Sequence, residues 1–123
     1  MNNEEKVWNV LEKLGLTVTV YDNLHANAVT VDKQILVSGA ILNSPEFVYI
    51  MAHEVAHYVL HTNHRHNSIK NEAEANKWAI RFLTIDVHHI RSYVEFMQIN
   101  GVPGKLLDMV QDVLTPIMLS RVE

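Results

Sequence analysis

The sequence predicts a single α+β domain: a small antiparallel sheet packed on a central helix, followed by a helical C-terminal half. Three observations carry that prediction. Between positions 16 and 37, apolar and polar residues alternate with the period of strands. From position 69 onward the apolar residues recur at helical spacing instead. Between these regions lies Phe47 to His61, FVYIMAHEVAHYVLH, apolar on most of its circumference and interrupted by His53, Glu54 and His57.

Each element has its own signals. Glu4 to Leu14 reads as a helix, with Val7, Trp8, Val10, Leu11 and Leu14 on one side and Gly15 as its stop. Leu16 to Tyr21 alternates as a half-buried strand. Ala28 to Val31 and Ile35 to Val37 are two more, and Asp32-Lys33-Gln34 reads as the tight turn of a hairpin. Ser44-Pro45-Glu46 opens the central helix, with Ser44 as N-cap and Pro45 at its first position. Ser68 is placed to cap the next helix, which carries Ile69, Ala73, Ala75, Trp78, Ala79, Ile80, Phe82 and Leu83. Asp86 is placed to cap a third, with Ile90, Tyr93, Val94 and Met97 inward. Gly101-Val102-Pro103 separates a last helix, which Thr115-Pro116 should kink or break.

Size and composition narrow the function. A chain of 123 residues fits one domain, residues 1–123, with a modest core. Lys and Arg number 10 against 14 Asp and Glu, a formal charge of −4 with the signs mixed, so no basic stripe points to nucleic acid. Without Cys, any metal must be held by His and carboxylates. No apolar run reaches membrane-span length and Met1-Asn2-Asn3-Glu4-Glu5 is no signal peptide, so a cytoplasmic protein without a membrane partner is expected.

His53-Glu54-Val55-Ala56-His57 is an H-E-x-x-H string. On a helix His53 and His57 stand one turn apart on one face, so both imidazoles can reach one metal ion. Glu54 is rotated about 100° from His53, beside the metal without ligating it, where a carboxylate serves as general base toward water. The surrounding apolar residues predict burial, and buried His and Glu need partners that a metal site supplies.

A catalytic zinc site needs a third protein ligand and an open position. The H-E-x-x-H-x-x-G-x-x-H arrangement is excluded, because Leu60 and Asn63 occupy its last two positions. A glutamate from the next helix is the alternative. Glu72 and Asn76 share a face beside the small Ala75, so Glu72 can ligate while Asn76 hydrogen-bonds a ligand imidazole. Glu74 points about 200° away and reads as a solvated residue.

H-E-x-x-H followed by Asn71-Glu72 and Asn76 resembles the gluzincin, thermolysin-like, metallopeptidases. More narrowly, HEVAHYVLH and NEAEANKWAIRFL together resemble the ImmA/IrrE family, over Leu16 to Leu83. The resemblance implies a zincin-like minimal gluzincin domain, one zinc ion on His53, His57 and Glu72, and Glu54 as the catalytic glutamate. It implies a protein or peptide substrate, such as a regulatory or repressor protein. His61, four residues after His57, fits a structural hydrogen-bonding role better than a fourth protein ligand, which would close the open position.

Peptide-bond hydrolysis is therefore the expected reaction. Tyr93, His88 and His89 stand as alternatives for stabilising the oxyanion, and Ile35-Leu36-Val37-Ser38 as the sheet edge that pairs with substrate. His64 and His66 read as a wet loop. Two other readings are a zinc-stabilised interaction module without catalysis and a latent protease covered by its C-terminal helices. Nothing in the sequence addresses oligomeric state.

Overall fold

A computed structural model describes residues 2–22, 24–61, 69–84 and 92–120. The order is α1 (Asn3–Leu14), β1 (Thr17–Val20), β2 (Ala28–Val31), β3 (Gln34–Val37), α2 (Phe47–His61), α3 (Ile69–Thr84), α4 (Tyr93–Asn100) and α5 (Leu107–Ser120), with one 3-10 turn at Gly104–Leu106. The α+β class is as expected.

α1 is closed at both ends by local chemistry. The Asn2 side chain accepts from the Glu5 N–H at 2.8 Å, and Gly15, at φ 70°, turns the chain into β1. Val7 and Leu11 enter the core, whereas Trp8 stays half exposed with its ring 5.8 Å from that of Phe47.

The sheet is mixed rather than antiparallel. Its order is β1-β3-β2; β2 and β3 form the expected hairpin, with Asp32 at φ 54° in the turn, while β1 runs parallel to β3. Alternation reports which way side chains face, not which strand is the neighbour. The seven residues between Val20 and Ala28 are too many for a two-residue hairpin, and they carry the chain past the slot that β3 fills. Ile35 and Val37 on β3 are fully buried, so this strand is the centre of the sheet and not its edge. The two edges are β1 and β2, and β2 packs against α2.

α2 begins at Phe47. Ser44 is not its side-chain cap: the Ser44 hydroxyl donates to the Ile41 carbonyl at 3.0 Å, while its own carbonyl accepts from the Phe47 N–H. Met51, Ala52, Val55 and Ala56 are fully buried. Val59 and Leu60 are exposed, so the predicted all-round burial fails in the last turn.

α3 packs along α2, the most extensive helix pairing in the fold. The small Ala75 and Ala79 are buried, which lets the two backbones approach. Ile69 and Ala73, expected inward, are exposed, Ile69 by 90%. Lys6 donates to the Phe82 carbonyl at 2.8 Å and Asn3 to that of Leu83 at 3.1 Å, so α1 satisfies the C-terminal carbonyls of α3 with a cation at the negative end of the helix dipole.

Ser92 caps α4 by accepting from the Glu95 N–H at 3.0 Å, and Val94 faces solvent. Ser68, Asp86 and Ile90 lie outside the described residues. Gly101 ends α4 at φ 71°, where a Cβ would overlap the Pro45 carbonyl oxygen and stand 2.6 Å from Glu46 Cα. α5 continues through Pro116 instead of breaking. Proline removes one N–H bond, but Pro116 is on the exposed side while Val110, Val113 and Leu114 hold the other side in the core. Side chains from α1, β3, α2, α3, α4 and α5 share this one core.

Candidate metal centre

Two facing helices build the site. His53 and His57 project from successive turns of α2, their rings 4.6 Å apart and nearly perpendicular. Glu72 comes from the first turn of α3. Its Oε2 lies 3.1 Å from His53 Nε2 and its Oε1 2.8 Å from His57 Nε2. The three side chains each offer one donor atom within 4.8 Å of the others and can hold a metal ion. Donor atoms at zinc-ligand distance from a tetrahedral centre stand about 3.3 Å apart, close to the spacings here. The His57 side chain is buried and that of His53 nearly so, while Glu72 keeps 45% of its side chain exposed, leaving the cluster open on one side.

Glu54 is buried, 7% exposed, and held at both oxygens. Thr30 on β2 donates to Oε1 at 2.7 Å and lies 3.3 Å from the Glu54 carbonyl. Oε2 is 3.4 Å from His53 Nδ1. Burial opposes ionisation of Glu54, but the His53 and Thr30 contacts and the charges of both histidines outweigh it and lower its pKa. Glu54 is thus a carboxylate at neutral pH. His53 shows the converse: burial opposes its protonation, yet Glu54 and Glu72, one at each edge of the ring, raise its pKa.

Asn76 is not bonded to an imidazole as the sequence suggested. Its side-chain oxygen accepts from the Tyr49 hydroxyl, and the Tyr49 ring stacks on His53 with centroids 6.1 Å apart. Burial and the Glu72 charge push the Tyr49 phenol well above its ordinary range, so it stays a donor. Tyr93 engages Thr115 of α5 at 2.7 Å. Glu74 faces solvent. His64, His66, His88, His89 and the His61 side chain lie outside the described residues.

Sequence reasoning brought His53, His57, Glu54 and Glu72 together and missed Thr30 and Tyr49. Thr30 gave no warning, because Val29 and Val31 flank it and Thr30 is the residue that turns inward. Tyr49 sits one turn before His53, a spacing that marks it as a neighbour, but its partner is visible only once α3 is docked.

No family model, curated protein or solved structure matches this chain.

Proposed function

We propose that this protein is a zinc-dependent metallopeptidase of the gluzincin, ImmA/IrrE-like kind, with a protein or peptide substrate. The observation that supports it is the convergence of His53 and His57 Nε2 with the Glu72 carboxylate, beside a buried and ionised Glu54. The donor set, two imidazoles and one carboxylate with an open side, fits catalytic zinc.

His53, His57 and Glu72 would hold the zinc ion, which when bound would supply Lewis-acid chemistry toward a carbonyl and water. Glu54 takes the proton of the attacking water as the new C–O bond forms and delivers it to the amine as the C–N bond breaks. Tyr49 steadies His53 by stacking and ties α2 to α3 through Asn76. An extended substrate adds along the free edge of β2, since β3 is paired on both sides.

A second reading is favoured by one observation. Glu54 sits at the Nδ1 edge of His53, where a carboxylate orients a metal-bound imidazole in sites of any purpose. In that reading the zinc stabilises an interaction module and Glu54 performs no proton transfer. Glu54→Gln separates the two, because glutamine still accepts from Nδ1 but is no base. For a peptidase, the variant keeps one equivalent of zinc and loses at least about 100-fold in peptide cleavage. Cleavage at the wild-type rate would remove Glu54 from the mechanism, and a wild type that cuts nothing would favour the module.

A further inference from the structure

We propose that Thr30 is a positioning residue for Glu54, an edge-strand hydroxyl that fixes the orientation of the carboxylate beside His53; this rests on the peptidase reading above. Thr30 is buried, on the face of β2 that packs against α2, and its hydroxyl stands 2.7 Å from Glu54 Oε1. Burying a hydroxyl costs free energy unless it finds a partner, and a valine would fit this strand position without that cost. What the hydroxyl accomplishes lies in its direction. A glutamate has three rotatable bonds, and a base that samples several orientations is seldom aligned for proton transfer. Threonine is stiff at χ1, so the strand backbone determines where its O–H points.

With Oε1 on Thr30, Oε2 rests at the Nδ1 edge of His53, 3.4 Å away, so the hydroxyl and the imidazole together fix the plane of the carboxylate. The same hydroxyl lies 3.3 Å from the Glu54 carbonyl, against the α2 backbone between the two histidines. One side chain therefore registers three things together: the edge strand along which substrate is proposed to lie, the helix that carries the imidazoles, and the base. A strand that shifts on binding substrate would carry the carboxylate with it.

The test uses full-length, zinc-loaded protein and an internally quenched peptide mixture, with Thr30→Val and Thr30→Ser compared. Removing only the hydroxyl should lower kcat about 10- to 100-fold, the size of an alignment loss. KM should stay within about twofold, and zinc content should remain at one equivalent. Serine should recover kcat to within several-fold of wild type. In a Glu54→Gln background Thr30→Val should cause no further loss. A Thr30→Val kcat within about twofold of wild type overturns the proposal, as does an equal loss in the serine and valine variants.

A second measurement does not depend on catalysis. In metal-free protein, the combined melting-temperature shift of a Thr30→Val, Glu54→Met double variant, in which neither partner of the hydrogen bond remains, should be markedly smaller than the sum of the two single shifts. Additive shifts mean that the two side chains do not act together, and the proposal fails. A wild type that cleaves no peptide removes the peptidase reading and the catalytic role of Thr30 with it, whereas the thermal cycle decides the contact separately.

Discussion

At the proposed metal centre, His53 is the residue at which protons and metal would compete. Its Nε2 faces Glu72 and its Nδ1 faces Glu54, so in the metal-free fold a proton on each nitrogen satisfies two carboxylates. Its pKa is consequently raised above the ordinary 6.5. The sign follows directly: this pairing stabilises the metal-free fold in full below 6.5 and fades as pH rises through the folded value. Zinc must displace the Nε2 proton, so its affinity should rise with pH over the same window. Calorimetric titration near neutral pH in buffers of different ionisation enthalpy should report proton release on zinc binding; a buffer-independent enthalpy would contradict the assignment. At this scale the sequence was informative, because H-E-x-x-H spacing alone puts two imidazoles on one helical face. It said nothing of Thr30, whose role arises from a strand docking against α2.

At the scale of elements, the site depends on how α2 and α3 are registered. Tyr49 and Asn76 join the helices one turn before His53 and one turn after Glu72, so the helices run antiparallel and the tie flanks the cluster. Tyr49→Phe keeps the stacked ring and removes the tie. Zinc affinity should fall about 10- to 100-fold, whereas Tyr93→Phe, which removes only the bond to Thr115, should leave it unchanged. Equal affinities in all three proteins would contradict this account. A second junction seats the end of α4 against the start of α2. Gly101→Ala combines a left-handed backbone with overlap at the Pro45 carbonyl, and should cost about 2–4 kcal/mol in urea unfolding; a loss under about 1 kcal/mol would show that the junction yields freely. Helices α1 and α3 were legible from spacing and from Gly15, and the end of α4 from Gly101; the start of α4 was not, since Ser92 in extended backbone caps it where a helix running on from Asp86 was expected. Strand neighbours were not: alternation in Leu16 to Tyr21 cannot distinguish a partner running parallel from one running antiparallel. Nor could Pro116 be judged without knowing that it falls on the exposed side of α5.

For the whole molecule, one core backs the cluster of His53, His57 and Glu72, with Glu54 buried beside it on Thr30 of the three-stranded sheet. No described helix is long and apolar enough to cross a membrane. That Glu72 joins the two histidines was legible because Glu72 and Asn76 share a helical face next to Ala75; that Asn76 would serve Tyr49 rather than an imidazole was not, since it depends on the distance between two docked helices. The central claim is that Glu72 completes a zinc site begun by the two histidines. Metal analysis by mass spectrometry, on protein purified without a histidine tag and dialysed after zinc loading, tests it directly. Wild type should retain one zinc per chain and Glu72→Ala should retain almost none while staying folded. A metal-free wild type, or full zinc retention by Glu72→Ala, would contradict the account.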